Sequence, residues 1–217
     1  MNADPWMFSV SGKRVSLLDP QPEMFLLEDI AYALASVPRF SGHSEPRYSV
    51  AAHAVACTLH MYVRGERRPA LLRAALHHDD SEAYLCDVSS PLKAAMRTMM
   101  GGAPSPYDRI EASFQAAIHA MLSTFGPIAP FDDEAVKDED RQMLFAELAT
   151  IARSCPATLG TSDPDAKHIV RWLGGLISSR SAPLHDATTF LLCERALAAL
   201  QPRALEDLLP WSLRGLR

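Results

Sequence analysis

The sequence lacks the features that would place the protein in a membrane or on a nucleic acid. No apolar run approaches the length needed to span a bilayer, and residues 1–15 lack a basic region followed by an apolar core. The formal charge of −5 argues against binding to nucleic acid polymers or anionic membranes, because either surface would need a basic stripe. We therefore expect a cytoplasmic protein whose ligand is a small anion held by local positive charge.

Cysteine is also scarce, and no familiar nucleotide or nucleophile motif is present. Cys57, Cys86, Cys155 and Cys193 show no short paired spacing, which argues against a zinc ribbon or a disulfide framework. The sequence has no glycine-rich phosphate loop, serine-nucleophile motif, internal repeat or heptad pattern. With 48% hydrophobic residues, the 217 residues can bury a sizeable core, and we expect a single globular domain over 1–217.

The hydrophobic pattern predicts an all-α bundle preceded by a small N-terminal β-hairpin. Alternating residues in Phe8–Val10 and Val15–Leu17 flank a turn at Ser11 and Gly12, which favours the hairpin. Apolar residues then recur at three- and four-residue spacing between proline and glycine clusters. This pattern predicts helices near 23–36, 49–64, 69–84, 90–99, 106–124, 133–153, 164–179 and 186–199.

The segment LHHDDSEAYLCDVSSPLK, at 76–93, points most directly to a function. On one continuous helix, Glu82 would lie on the same face as His78 and Asp79, which precede it by four and three positions. Imidazole nitrogen and carboxylate oxygen suit a divalent ion such as zinc, manganese, cobalt or iron. Because the His-Asp pair supplies only two ligands, the remaining ligands must come from elsewhere.

Two further candidates lie on apolar helical faces. His53 belongs to a stripe with Val50, Ala54, Cys57 and Met61, and Asp140 shares a face with Val136, Met143, Leu144 and Leu148. A buried carboxylate seldom lacks a partner, whereas a single histidine on such a face is more often a core residue. The rival acids Asp138 and Glu139 have mostly charged or polar neighbours, so we expect them to be solvated. The order His, His-Asp, Asp on successive helices favours a metal site.

Four segments resemble the HD-domain phosphohydrolases, of the 5′-deoxynucleotidase and deoxynucleoside-triphosphate hydrolase type. They are RFSGH at 39–43, YSVAAH at 48–53, LHHDDSEAYLCDVSSPLK at 76–93 and VKDEDRQML at 136–144, and the resemblance runs from about Asp29 to Ala149. It implies an HD-domain helical bundle, one divalent metal ion as cofactor, a small nucleotide as substrate and a homo-oligomer. The ion could be cobalt, manganese, zinc, iron or magnesium.

The resemblance also assigns roles by position. The implied metal ligands are His53, His78, Asp79 and Asp140, and the implied catalytic acids are Glu82, which handles the water, and Asp87. The implied substrate contacts are Arg39 and Lys93 for phosphate, and we also place His43 and Phe40 in the nucleoside pocket. Two of these residues have plain structural alternatives, since Lys93 could be a solvated lysine and Asp87 a turn residue.

The implied reaction is attack of a metal-activated water on the α-phosphorus of a nucleotide. Arginine can bind a phosphate through two parallel hydrogen bonds, and lysine offers a compact point charge. The motifs do not separate a monophosphatase from a triphosphohydrolase. A catalytically silent, nucleotide-binding regulatory module is the alternative from another class. The chain departs from the family pattern at His77 and Asp80, where small or apolar residues are more usual, and we expect His77 to face away from the ion.

Overall fold

Helices dominate the computed structural model, which describes residues 4–151, 163–177, 182–209 and 211–214. Two strands, β1 (Trp6–Phe8) and β2 (Arg14–Ser16), form an antiparallel hairpin with Met7 opposite Val15. The α-helices that follow are α1 (Leu27–Ser36), α2 (Val50–Val63), α3 (Pro69–His77), α4 (Glu82–Leu85), α5 (Ser90–Met99), α6 (Pro106–Ser123), α7 (Glu134–Thr150), α8 (Pro164–Ile177) and α9 (Ala182–Ala198). The predicted all-α fold with an N-terminal hairpin is therefore confirmed.

Helix α2 forms the centre of the fold. Every residue from Val50 to Tyr62 is buried, as expected for a helix that is covered on all sides. It packs against α1, α3, α7, α8 and α9. The Ser49 side chain begins the helix by accepting a hydrogen bond from the Ala52 backbone N–H at 3.1 Å. His53 lies in the first turn of α2, and its side chain is buried.

The single helix predicted over 69–84 is wrong, because α3 ends at His77 and α4 begins at Glu82. Residues 78–81 form turns with short-range backbone bonds, from Asp80 N to His77 O at 3.2 Å and from Glu82 N to Asp79 O at 2.9 Å. Consecutive residues of an α-helix point about 100° apart. The break lets the side chains of His78 and Asp79 point toward the same place.

Other differences concern the ends of strands and helices. The first strand is Trp6–Phe8 rather than Phe8–Val10, and Val10 lies in the turn. The first predicted helix is divided into a one-turn 3₁₀ helix, Pro22–Met24, and α1. The predicted helix near 186–199 begins earlier, at Ala182. The predicted ends at 153 and 179, and Cys155, lie outside the described residues. Among the helices that are described, each is too short or too polar to cross a bilayer.

Candidate metal centre

Four predicted ligand side chains converge from three parts of the fold. His53 lies on α2, His78 and Asp79 in the turn after α3, and Asp140 on α7. His53 Nε2 lies 3.3 Å from His78 Nε2, 3.1 Å from Asp140 Oδ1 and 3.7 Å from Asp79 Oδ2. His78 Nε2 lies 3.3 Å from Asp79 Oδ2 and 3.8 Å from Asp140 Oδ1.

These separations are compatible with one shared ion. Two donors at about 2.1 Å from an ion are about 3.0 Å apart at a right angle and about 3.4 Å apart at a tetrahedral angle. The two imidazoles and two carboxylates are also the donor types that divalent transition metals accept. The chemistry and the spacing of the donors therefore fit the ion that the sequence predicts.

The other ring nitrogen of each histidine is occupied. His53 Nδ1 lies 2.6 Å from Glu147 Oε1, and His78 Nδ1 lies 2.8 Å from the Ala75 carbonyl oxygen. Because each acceptor requires an N–H, the tautomer that results leaves the Nε2 lone pairs facing the centre. Two lone pairs 3.3 Å apart repel each other unless a cation lies between them.

The electrostatics of the centre favour positive charge. Burial disfavours a charged imidazole, but Asp79 and Asp140 outweigh it and raise the pKa of His78 to about 10. Burial alone would raise the pKa of Asp140, yet His53 and His78, when their rings are protonated, donate to its carboxylate and hold that pKa far below its usual range. A proton and a metal ion compete for the same nitrogen, and the same carboxylates attract both.

Cys57 is a further donor beside the two histidines. Its Sγ lies 3.6 Å from His53 Nε2, and the ligand atoms of His53, Cys57 and His78 all lie within 4.8 Å of one another. This His-Cys-His group could hold a metal ion. Burial raises the pKa of the Cys57 thiol well above its usual value when no ion is bound, whereas a bound divalent ion would deprotonate a coordinating thiol. The sulfur of Cys57 is therefore an alternative ligand beside the oxygens of Asp79 and Asp140.

A pocket of about 510 Å³ opens beside the carboxylate donors. Its walls include the two metal-ligand candidates Asp79 and Asp140 and all six of the predicted catalytic and substrate-contact residues, Arg39, Phe40, His43, Glu82, Asp87 and Lys93. His78 instead lines a neighbouring cleft of about 730 Å³, which also includes Asp79 and Lys93. The structure thus brings the predicted site residues together around one centre.

Arg39 is held in place at the inner wall of this pocket. Its Nη1 lies 3.4 Å from Asp79 Oδ2 and its Nη2 lies 3.1 Å from Glu147 Oε2. Its buried Nε has no hydrogen-bond partner among the described residues. Glu147, with no exposed side-chain surface, therefore contacts both Arg39 and the ligand candidate His53.

The segment after Arg39 has an unusual backbone. Phe40 and Ser41 have φ angles of 56° and 52°, in the left-handed region that side chains other than glycine disfavour. Asp87 Oδ2 accepts a hydrogen bond from the Phe40 backbone N–H at 3.1 Å. Asp87 thus holds the turn that carries Arg39 and Phe40, while its side chain lines the pocket. Its catalytic and structural interpretations are compatible.

Glu82 is the most isolated acid of the pocket. The residue is 4% exposed, and its Oε2 has no hydrogen-bond partner in the part of the chain that is described. Burial, followed by the nearby charges of Asp79 and Asp87, raises the pKa of Glu82 above its usual value, against the opposing effect of Arg39 and Lys93.

Lys93 is neither free nor fully solvated. Its Nζ lies 2.7 Å from Glu111 Oε1, and its side chain is 19% exposed. An anion that enters the pocket would compete with Glu111 for this ammonium group.

Sequence reasoning missed Glu147 and misjudged Glu139. Glu139 was expected to be solvated, but it is 3% exposed and its Oε1 lies 2.7 Å from the buried His60 Nδ1. The available signal was periodicity, since Glu147 follows Asp140 by seven residues, which is two helical turns. Its partner His53 is 94 residues away in the chain, so the contact itself could not be read from spacing.

The sequence is similar to two bacterial proteins whose functions are uncharacterized. It is 36% identical over 154 residues to an uncharacterized protein of Rhodobacter capsulatus, a match that covers 68% of this chain and 73% of that protein. It is 33% identical over 137 residues to the uncharacterized protein YfdR of Escherichia coli K12, covering 63% of this chain and 67% of YfdR. No family model matches the sequence. The chain belongs to the same family as these two proteins.

Proposed function

We propose that the protein is a divalent-metal-dependent phosphohydrolase that acts on deoxynucleotides, of the HD-domain type, and that it works in the cytoplasm as a homo-oligomer. The observation that supports this most is the convergence of two imidazole nitrogens and two carboxylate oxygens. Each carboxylate oxygen lies within 3.8 Å of both nitrogens, and the group adjoins a pocket that contains an arginine and a buried acid. His53, His78, Asp79 and Asp140 hold the ion. The bound ion supplies Lewis-acid chemistry to the phosphate and the attacking water.

Arg39 binds the phosphate of the substrate. Its guanidinium group is fixed by Asp79 and Glu147, so little side-chain entropy is lost when the phosphate arrives. Charge builds on the phosphoryl oxygens as the ester breaks, and a fixed cation stabilises that charge best where water is excluded. Lys93 adds a second positive charge once the anion displaces Glu111.

Glu82 orients the attacking water. Its Oε2 is buried without a hydrogen-bond partner among the described residues, and such an acceptor costs free energy unless a ligand or water satisfies it. A carboxyl group at this place can receive or return a proton during the attack. Asp87 maintains the turn of Arg39 through the Phe40 backbone N–H.

The charge of the pocket favours a monophosphate over a triphosphate. Of the described lining residues, only Arg39 and Lys93 carry a full positive charge, and both already contact carboxylates. A single phosphate can be balanced by these cations and the ion, whereas a triphosphate brings further charges that need further cations. The volume of about 510 Å³ lies in the usual range for small-molecule sites, and Phe40 and His43 line the part left for the nucleoside.

A product assay tests the proposal. Metal-stripped protein is resupplied separately with cobalt, manganese, zinc and magnesium and incubated with deoxy- and ribonucleoside mono- and triphosphates. We expect nucleoside and inorganic phosphate from deoxynucleoside monophosphates. Asp140→Asn should abolish this activity, and Asp138→Asn is the matched control because Asp138 is an exposed acid on the same helix.

Each other outcome contradicts a definite part of the proposal. Nucleoside with tripolyphosphate would overturn the preference for monophosphates but keep the hydrolase. Tight nucleotide binding with no turnover under any metal would overturn the enzyme and support a silent regulatory module. Equal activity of Asp140→Asn and the unaltered protein would remove Asp140 from the metal centre.

A further inference from the structure

A buried polar network adjoins the turn that carries His78 and Asp79, and none of its residues lines the pocket. His77 and Asp80 immediately flank these two ligand candidates in sequence. His77 Nδ1 lies 2.7 Å from Asp80 Oδ2, and neither side chain has any exposed surface. This contact therefore closes the turn around the His-Asp pair.

The network continues to helix α9, far away in the sequence. His77 Nε2 lies 3.0 Å from Glu194 Oε2, and the ring packs edge-to-face on Phe190 with the centroids 5.2 Å apart. Both ring nitrogens of His77 thus lie within hydrogen-bond distance of carboxylate oxygens. The orientation of His77 is fixed by one residue of the turn and one residue of α9.

Arg73 fixes Glu194 in turn. Its Nε lies 2.9 Å from Glu194 Oε2 and its Nη2 lies 2.6 Å from Glu194 Oε1, which is a two-point contact. The same guanidinium group donates to the carbonyl oxygens of Leu122, Gly126 and Pro127, at 3.2, 2.8 and 3.1 Å. Arg73 is fully buried, and its Nε, Nη1 and Nη2 all donate to the acceptors just named.

A contact from α6 holds the other side of the turn. Gln115 Nε2 donates to the His78 carbonyl oxygen at 2.5 Å and to Ser81 Oγ at 3.1 Å. The turn therefore has rigid attachments to both α6 and α9. Such rigidity matters because the side chains of the adjacent residues His78 and Asp79 must both reach one point. A regular helix would direct them apart, and a flexible loop would not hold them in place.

We propose that Asp80 and Glu194 are positioning residues of the metal centre, which act through His77 to hold His78 and Asp79 in their convergent geometry. Helix α9 is then a working part of the site, although none of its described residues lines the pocket. This inference rests on the proposed metal site. Residues that contact metal ligands without binding the ion raise metal affinity because they orient the ligands in advance. Less side-chain entropy is then lost when the ion binds.

The test measures cobalt binding to metal-stripped protein by competition with a chromophoric chelator, together with the visible spectrum of the bound Co²⁺. Asp80→Ala removes the contact that closes the turn, and Glu194→Gln weakens the link to α9. Glu139→Gln is the matched control, since Glu139 is also a buried acid that contacts a buried histidine, His60 at 2.7 Å, outside the ligand turn. Thermal unfolding of each metal-free protein reports its stability separately.

We expect Asp80→Ala and Glu194→Gln to bind Co²⁺ about 10- to 100-fold more weakly, with an altered visible spectrum. Glu139→Gln should lose thermal stability but keep the affinity and the spectrum of the unaltered protein. Unchanged affinity and spectrum in both network variants would overturn the inference. If Asp80→Ala does not fold, Glu194→Gln decides alone. If the unaltered protein itself binds no Co²⁺, the proposed function fails, and that result is distinct from failure of the network.

Discussion

Substitution of Glu147 should weaken metal binding although Glu147 is not a ligand. Its Oε1 is hydrogen-bonded to His53 Nδ1 at 2.6 Å, and its Oε2 forms an ion pair with Arg39 Nη2 at 3.1 Å that lacks hydrogen-bond geometry. In Glu147→Gln, an amide oxygen toward His53 places the NH₂ group against the guanidinium of Arg39. The reverse orientation forces His53 into the tautomer whose Nε2–H points at the metal position. One of the two contacts is lost in either case.

The magnitude follows from these two contacts. A hydrogen bond to a charged partner contributes about 1.5–3 kcal/mol, and only part of it is recovered by the amide. Loss of an orienting partner of a metal-bound histidine typically weakens metal binding by about 10- to 100-fold. We therefore expect the Kd for Co²⁺ or Mn²⁺ to rise by about 10- to 100-fold, which corresponds to about 1.4–2.7 kcal/mol of binding free energy.

The assay measures the Kd of metal-stripped protein by titration with Co²⁺ or Mn²⁺. Glu139→Gln, the same change at another position, is the control. Glu139 and Glu147 lie on the same helix, and each contacts a buried histidine, at 2.7 and 2.6 Å. Only the Glu147 partner is a proposed ligand. Equal Kd values for Glu147→Gln and the unaltered protein would refute the role assigned to Glu147, and an equal loss in both variants would indicate a general loss of stability.

Three further predictions follow from single contacts. Glu82→Gln should reduce turnover by about 100- to 10,000-fold while metal affinity is unchanged, as measured by steady-state kinetics and metal titration. Arg73→Met should lower the free energy of unfolding by about 3–5 kcal/mol in urea, because the buried Glu194 loses its two-point partner and keeps only the contact with His77 among the described residues. Burial opposes protonation of His60, but Glu139 raises its pKa, so the stability lost in Glu139→Gln should be largest below about pH 6.5 and should shrink at higher pH.

Periodicity was sufficient to place His53 and Asp140 on helix faces that meet at the centre, although the Asp140 side chain is 45% exposed rather than buried. Both occupy helices whose apolar spacing is regular, and a helix fixes the direction of each side chain once its buried face is known. The presence of the hairpin was predictable from its Ser-Gly turn, although its first strand, Trp6–Phe8, lies two residues before the predicted one. These features depend on residues that are close in sequence.

The break after His77 was not predicted, because residues 77–84 contain neither proline nor glycine, although His, Asp and Ser are weaker helix formers than the Ala and Leu of α3. The turn is stabilised by His77, whose two nitrogens contact Asp80 and the distant Glu194. The burial of Glu139 and Glu147 likewise depends on histidines of another helix, His60 and His53. Tertiary partners decide whether an acid is solvated or buried, and a single sequence does not reveal them.

Calorimetric titration of metal-stripped protein with Co²⁺ or Mn²⁺ would show whether His53, His78, Asp79 and Asp140 bind one divalent ion. The unaltered chain is compared with His53→Ala and Asp140→Ala. We expect one ion per chain for the unaltered protein and loss of that binding in both variants. Absence of binding in the unaltered protein, or full binding in both variants, would contradict the proposed metal centre.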